Sequence, residues 1–99
     1  MSQIMRTPEH ARRLIGGEKC VVMFSSPSCS PCQSMYPLLQ SLADDGLAVA
    51  IIDVTEHPGF ASEYRVRALP TTALFIRGGL SKMFVGSMST AFLEKWVNA

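Results

Sequence analysis

Charge is scarce in this chain. Asp, Glu, Lys and Arg make up 17% of 99 residues and sum to +1, so neither nucleic acid nor an anionic membrane has a strong electrostatic hold on it. No charged residue falls between Lys19 and Asp44. Long apolar runs are missing too, since none nears the roughly 20 residues that cross a bilayer. Cysteine is sparse. Three is an odd number and too few for the disulfide framework of a small secreted domain. Met1 to His10 lack an apolar h-region and a small-residue cleavage pattern, so a cytoplasmic protein is the expectation. Repeats, linkers and low-complexity segments are absent, and residues 1–99 read as a single domain.

What is present is apolar: hydrophobic residues reach 47%, enough for a core without a covalent staple. Gln3-Ile4-Met5 reads as a short first strand. Thr7-Pro8-Glu9 gives an N-cap, a first-turn proline and an acidic first turn for a helix that stops at Gly16-Gly17. Cys20 to Phe24 is a short β-branched run, typical of a buried strand. The segment from Gln33 to Ala43 has helical spacing, with Pro37 expected to kink it, and ends near Asp44-Asp45-Gly46. Leu47 to Val54 is almost continuously apolar, as in a parallel strand covered on both faces. Pro58 to Arg65 suggests a short helix. Thr71 to Ile76 and Leu80 to Val85 read as strands joined by a Gly78-Gly79 turn. Ser89 caps a last helix carrying Phe92, Leu93, Trp96 and Val97. The expected order is β-α-β-α-β-α-β-β-α.

Where the Cys20 to Phe24 strand hands over to the next helix stands Cys29-Ser30-Pro31-Cys32. Pro31 suits a first helical turn, where its missing N–H costs nothing. Cys29 is then at or just before a helix N-terminus, where free N–H groups and the helix dipole favour the thiolate. A thiolate attacks a disulfide and forms a mixed disulfide; a second thiol nearby resolves it. Cys32 is one turn further in. Zinc is a competing use of such a pair, but it usually wants four ligands. Cys20, His10 and His57 fall on separate elements without a second paired motif. Two inert buried thiols would leave Pro31 and the junction idle. A glutathione-using or cluster-binding site would want basic groups nearby, and the flanks are uncharged. Cys20 reads as a small buried hydrophobe.

With these features the chain resembles the thioredoxin family along nearly its whole length. The matching stretches are Ser28-Cys29-Ser30-Pro31-Cys32, the internal Pro37, Asp53 to Tyr64, Ala68-Leu69-Pro70-Thr71, Gly78-Gly79, Val85-Gly86 and the closing helix. The resemblance implies an α/β thioredoxin fold, a central mixed β-sheet with helices on both faces. It implies a thiol–disulfide oxidoreductase, specifically a protein-disulfide reductase, that uses no cofactor and binds no metal. Cys29 would be the nucleophile and Cys32 the resolving thiol. Pro70 would follow a cis peptide bond beside them. Ser28, Ser30, Pro31, Leu69, Pro70, Val85 and Gly86 would form the surface that receives a disulfide-containing protein. A monomer is expected. No residue pattern binds a nicotinamide or flavin, so electrons come from outside, as from a thioredoxin reductase.

The chain departs from that family at four places. The family commonly has a buried aspartate ahead of the nucleophile, and here the position is Met23. The lysine often near it is Ile51. Two tryptophan positions are Ser28 and Ser25. The motif is instead rich in hydroxyls, at Ser25, Ser26, Ser28, Ser30 and Ser34, which are expected to donate to the Cys29 thiolate and make the couple less reducing than a standard thioredoxin. An alternative use of the fold is an interaction module with vestigial redox activity.

Overall fold

The computed structural model describes residues 3–99. Its elements are α1 (Pro8–Ile15), β1 (Lys19–Ser25), α2 (Ser30–Asp44), β2 (Ala48–Asp53), α3 (Pro58–Glu63), β3 (Thr71–Ile76), β4 (Gly79–Val85) and α4 (Thr90–Asn98). The strands form one mixed sheet in the order β2-β1-β3-β4. β1 runs parallel to β2 and antiparallel to β3, and β3 and β4 form a hairpin. Ser81 is left unpaired where the hairpin register shifts, a bulge that bends the strand.

Gln3-Ile4-Met5 does not form the expected first strand. Met5 alone makes a parallel bridge to Ala50, donating to the Val49 carbonyl and accepting from the Ile51 N–H. The cause is local. The Thr7 hydroxyl accepts from the His10 N–H at 3.3 Å, and Pro8 opens α1, so the chain leaves the sheet edge after one bridge.

β1 is central and, past Lys19, fully buried. Successive residues point to opposite faces. Val21 and Met23 face a core built with Cys32, Met35 and Leu39 of α2 and Leu93 and Val97 of α4. Cys20, Val22 and Phe24 face the other core, with Ala11 and Ile15 of α1 and Phe60 and Ala61 of α3. Two covered faces leave no solvent side, which explains the absence of alternation. Fully burying one side chain such as Phe24 contributes about 1.5–3 kcal/mol. Phe24, Phe60, Tyr64 and Phe75 also touch ring to ring, at centroid distances of 5.4 to 6.1 Å.

α2 runs unbroken through Pro37. Pro37 cannot donate to the Gln33 carbonyl, and Gln33 lies on the exposed side of the helix. α4 begins where the Ser89 hydroxyl accepts from the Phe92 N–H at 3.1 Å. Only Leu93 and Val97 of its apolar residues enter the core. Phe92 and Trp96 pack instead on Phe84.

Candidate active site

Cys29 is the N-cap of α2, with φ −88° and ψ 101°. Its Sγ accepts from the Cys32 N–H at 3.2 Å, and its own N–H donates to the Ser26 carbonyl at 3.2 Å. A helix start leaves its first N–H groups without intrahelical partners, and the Cys29 sulfur occupies the place a serine or aspartate oxygen takes at ordinary caps. Ser30 and Pro31 follow in the first turn, both exposed.

The two cysteines are bonded to each other, with a Cα–Cα distance of 5.3 Å, inside the range a disulfide spans. Their surroundings differ. Cys29 is half-buried and Cys32 has no exposure at all. Helix geometry accounts for this: the cap lies on the rim, while the residue one turn in points down onto the sheet. There Cys32 meets the cluster of Met23, Met35, Leu74 and Met88. The Met88 N–H donates to the Met35 sulfur at 3.3 Å, which ties the loop before α4 to α2.

The serine hydroxyls do not serve the Cys29 sulfur. Ser25 Oγ pairs with the Tyr36 hydroxyl at 2.6 Å. Ser26 and Ser28 pair with each other at 3.3 Å. Ser34 donates to the Pro31 carbonyl at 2.9 Å, and Ser30 is exposed. Among the described residues the one hydrogen bond to that sulfur comes from the Cys32 amide. In the disulfide form four of these five hydroxyls have partners other than that sulfur.

On the opposite side of the site the Leu69–Pro70 peptide bond is cis. Leu69 is half-buried and packs on the cluster that Cys29 and Cys32 share. Pro70 is buried. The Thr71 hydroxyl donates to the Ala68 carbonyl at 2.6 Å. The Gly86 N–H donates to the Pro70 carbonyl at 2.8 Å, and Val85 pairs with Thr71. Leu69, Pro70, Val85 and Gly86, scattered along the chain, thus meet at one end of the hairpin. Val85 is 62% exposed there.

Two features escaped the sequence reading. Beside the Ser25–Ser26–Pro27 turn lies an open pocket of about 240 Å³, walled also by Arg6, Tyr36 and Asp53. The Asp53 carboxylate is held below the usual carboxylate range by the Thr55 hydroxyl and N–H. The second is Thr72, wholly buried, whose hydroxyl has no partner. A Thr-Thr pair opening an otherwise apolar strand was the available signal. Cys20 lies across the sheet from the disulfide, in the other core, and burial pushes its thiol up to about 12.

A bonded cysteine pair at a helix start, one sulfur at the rim and the other beneath it on a mixed sheet, defines a thiol–disulfide oxidoreductase. The thioredoxin family model matches residues 3–99. The chain is 37% identical over 81 residues to a thioredoxin of Acidithiobacillus ferridurans, spanning 75% of each. It is 35% identical over 81 residues to a thioredoxin of Rhodospirillum rubrum, spanning 79% of this chain and 78% of that one. A solved mutant thioredoxin from Halobacterium salinarum superposes with a TM-score of 0.88 at 29% identity, over 96% of this chain and 86% of the other. The chain belongs to the thioredoxin family.

Proposed function

We propose that the protein reduces disulfides of other proteins, with Cys29 as the attacking thiolate and Cys32 as the resolving thiol. The observation that carries this is the asymmetry of the pair: a half-exposed sulfur that caps α2 and receives an N–H, over a sulfur sealed from solvent. The Cys29 thiolate attacks a substrate disulfide, forming Cys29–S–S–R and releasing one substrate thiolate. Cys32 then attacks Cys29. The Cys29–Cys32 bond forms, the bond to R breaks, and the proton of Cys32 is handed on to the departing thiolate. The substrate has gained two electrons, and the pair must be reduced again by an external donor of the thioredoxin-reductase kind.

The partner chain lies along Leu69, Pro70, Val85 and Gly86, with Ser28, Ser30 and Pro31 on its other side. The exposed Val85 supports this, because an apolar side chain at a strand end beside free backbone suits an extended peptide. The protein works as a monomer in the cytoplasm, where reducing conditions keep such a pair cycling.

This is an atypical member. The fully buried Met23 and the buried Ile51 stand where relatives commonly have an ionisable pair, and Ser25 and Ser28 stand at tryptophan positions. First attack needs neither carboxylate nor indole, while resolution loses its usual buried base. Insulin reduction by dithiothreitol, followed as turbidity, tests the proposal. Acceleration that disappears in Cys29→Ser supports it, and no acceleration would leave the fold as an interaction module.

A further inference from the structure

Among the described residues, the Thr72 hydroxyl is the one buried side-chain polar atom without a hydrogen-bond partner. Leaving such a group unpaired in a core costs stability. The oxidised protein carries that cost at a telling place. Thr72 pairs with Met23 on β1 and with Phe84 on β4. Residues directly opposite in an antiparallel ladder share a face. Thr72 therefore lies on the side of Met23 and, two residues along its own strand, of Leu74. This face holds Cys32, Met35 and Met88. Thr72 is also the second residue after Pro70, at the active-site end of β3.

Its neighbours across both ladders are Phe84, which has no side-chain acceptor, and Met23, whose thioether is a weak one and makes no bond to it. The group on this face whose hydrogen-bonding capacity changes during catalysis is the Cys32 sulfur. In the disulfide it is an uncharged, weak acceptor, and the Thr72 hydroxyl makes no bond to it. Once the disulfide opens it is a thiol and then a thiolate, a strong acceptor. We propose that Thr72 is a positioning residue for Cys32, resting on the dithiol chemistry above: its hydroxyl takes the Cys32 sulfur as partner in the reduced protein and donates to it as charge develops during resolution. The threonine is not the base. It lowers the cost of the thiolate in a site without a carboxylate. The overall step stays balanced, since the Cys32–Cys29 bond replaces the Cys29–R bond and the Cys32 proton ends on the leaving sulfur.

Other titratable groups on the packed elements are engaged or exposed. Tyr36 on α2 bonds Ser25, Asp53 at the end of β2 bonds Thr55, and Lys82 on β4 sits over Trp96. Glu94 and Lys95 on α4 are exposed.

Thr72→Val keeps the shape and removes the hydroxyl, and Thr72→Ser keeps the hydroxyl. Each reduced protein is mixed with one equivalent of an aromatic disulfide in a stopped-flow instrument. The first thiolate release reports attack and the second reports resolution. Thr72→Val should slow the second release at pH 7 by roughly tenfold, the scale of a hydrogen bond to a charged group, and move its pH profile upward. The first release should be unchanged. In glutathione the reduced form should lose about tenfold in population ratio, roughly 30 mV for a two-electron couple. The oxidised valine variant should melt above the native protein, whereas its reduced form should not. Thr72→Ser should behave as native. Equal shifts of both melting points, with unchanged resolution and potential, would overturn the proposal. So would a serine variant that fails to restore them. A native protein showing neither release would overturn the dithiol reading itself, and this proposal with it.

Discussion

The Cys32 N–H donates to the Cys29 sulfur at 3.2 Å, so the turn that brings the two thiols together also makes them unequal. The N–H and the helix start favour negative charge on Cys29, and burial disfavours it on Cys32. Iodoacetamide at neutral pH should therefore modify Cys29 of the reduced protein first and leave Cys20 untouched until unfolding. Peptide mapping by mass spectrometry reads the order. Cys32→Ser should accumulate mixed disulfides with substrate proteins, and Cys29→Ser should accumulate none.

Met23 has no exposure and sits in one cluster with Cys32. An ionisable base there should help remove the Cys32 proton. Met23→Asp is expected to speed resolution at neutral pH by part of the roughly 10²–10⁴-fold typical of general-base assistance. It should also lower stability by more than about 1 kcal/mol, because a buried carboxyl needs partners. Stopped-flow kinetics and denaturant melts separate the two effects. An unchanged resolution rate would show that proton removal does not limit this step.

Val85 is 62% exposed at the strand end that meets Pro70 and Gly86. Val85→Asp should reduce kcat/KM for insulin by about tenfold, as expected for losing an apolar anchor. Turnover of a small aromatic disulfide, which needs no groove, should be nearly unchanged. Equal losses on both substrates would place Val85 outside recognition. Fold stability should move by less than about 0.5 kcal/mol, as for most surface changes.

Gly86 holds φ at +113° while its N–H bonds the Pro70 carbonyl. A side chain resists that backbone conformation, although a Cβ there would meet only the Phe84 ring, at an ordinary contact distance of 4.0 Å. Gly86→Ala should cost roughly 1–2 kcal/mol and weaken insulin reduction by shifting the Pro70 turn. Chemical denaturation and the insulin assay measure the two together.

Cys20 ties stability to alkaline pH. Its folded thiol is raised from an ordinary value near 9.0 to about 12 by burial. The folded state thus holds a proton that the unfolded state gives up first. Its contribution is complete below pH 9 and is lost as pH rises toward 12. Melting temperature should fall more steeply over that window in the native protein than in Cys20→Ala. Parallel curves would show that other groups govern alkaline unfolding.

Much of this was legible in the chain. Cys29-Ser30-Pro31-Cys32 announced a helix start with a cap and a proline, because both signals are local and steric. The Thr71 to Ile76 strand matched its bounds, since β-branched residues ended by Gly78-Gly79 leave few options. The double burial of β2 followed from the almost unbroken apolar run of Leu47 to Val54. Resemblance, not periodicity, joined Pro70 to the cysteines. Tertiary structure decided the rest. It reduced Gln3-Ile4-Met5 to a single bridge, because a capped helix begins three residues later. It turned the serine hydroxyls to Tyr36, to one another and to the Pro31 carbonyl, since each of them bonds the partner that geometry brings nearest. It set Thr72 on the cysteine face with nothing to bond. Strand register fixed that, and register is a relation between segments that no single segment encodes.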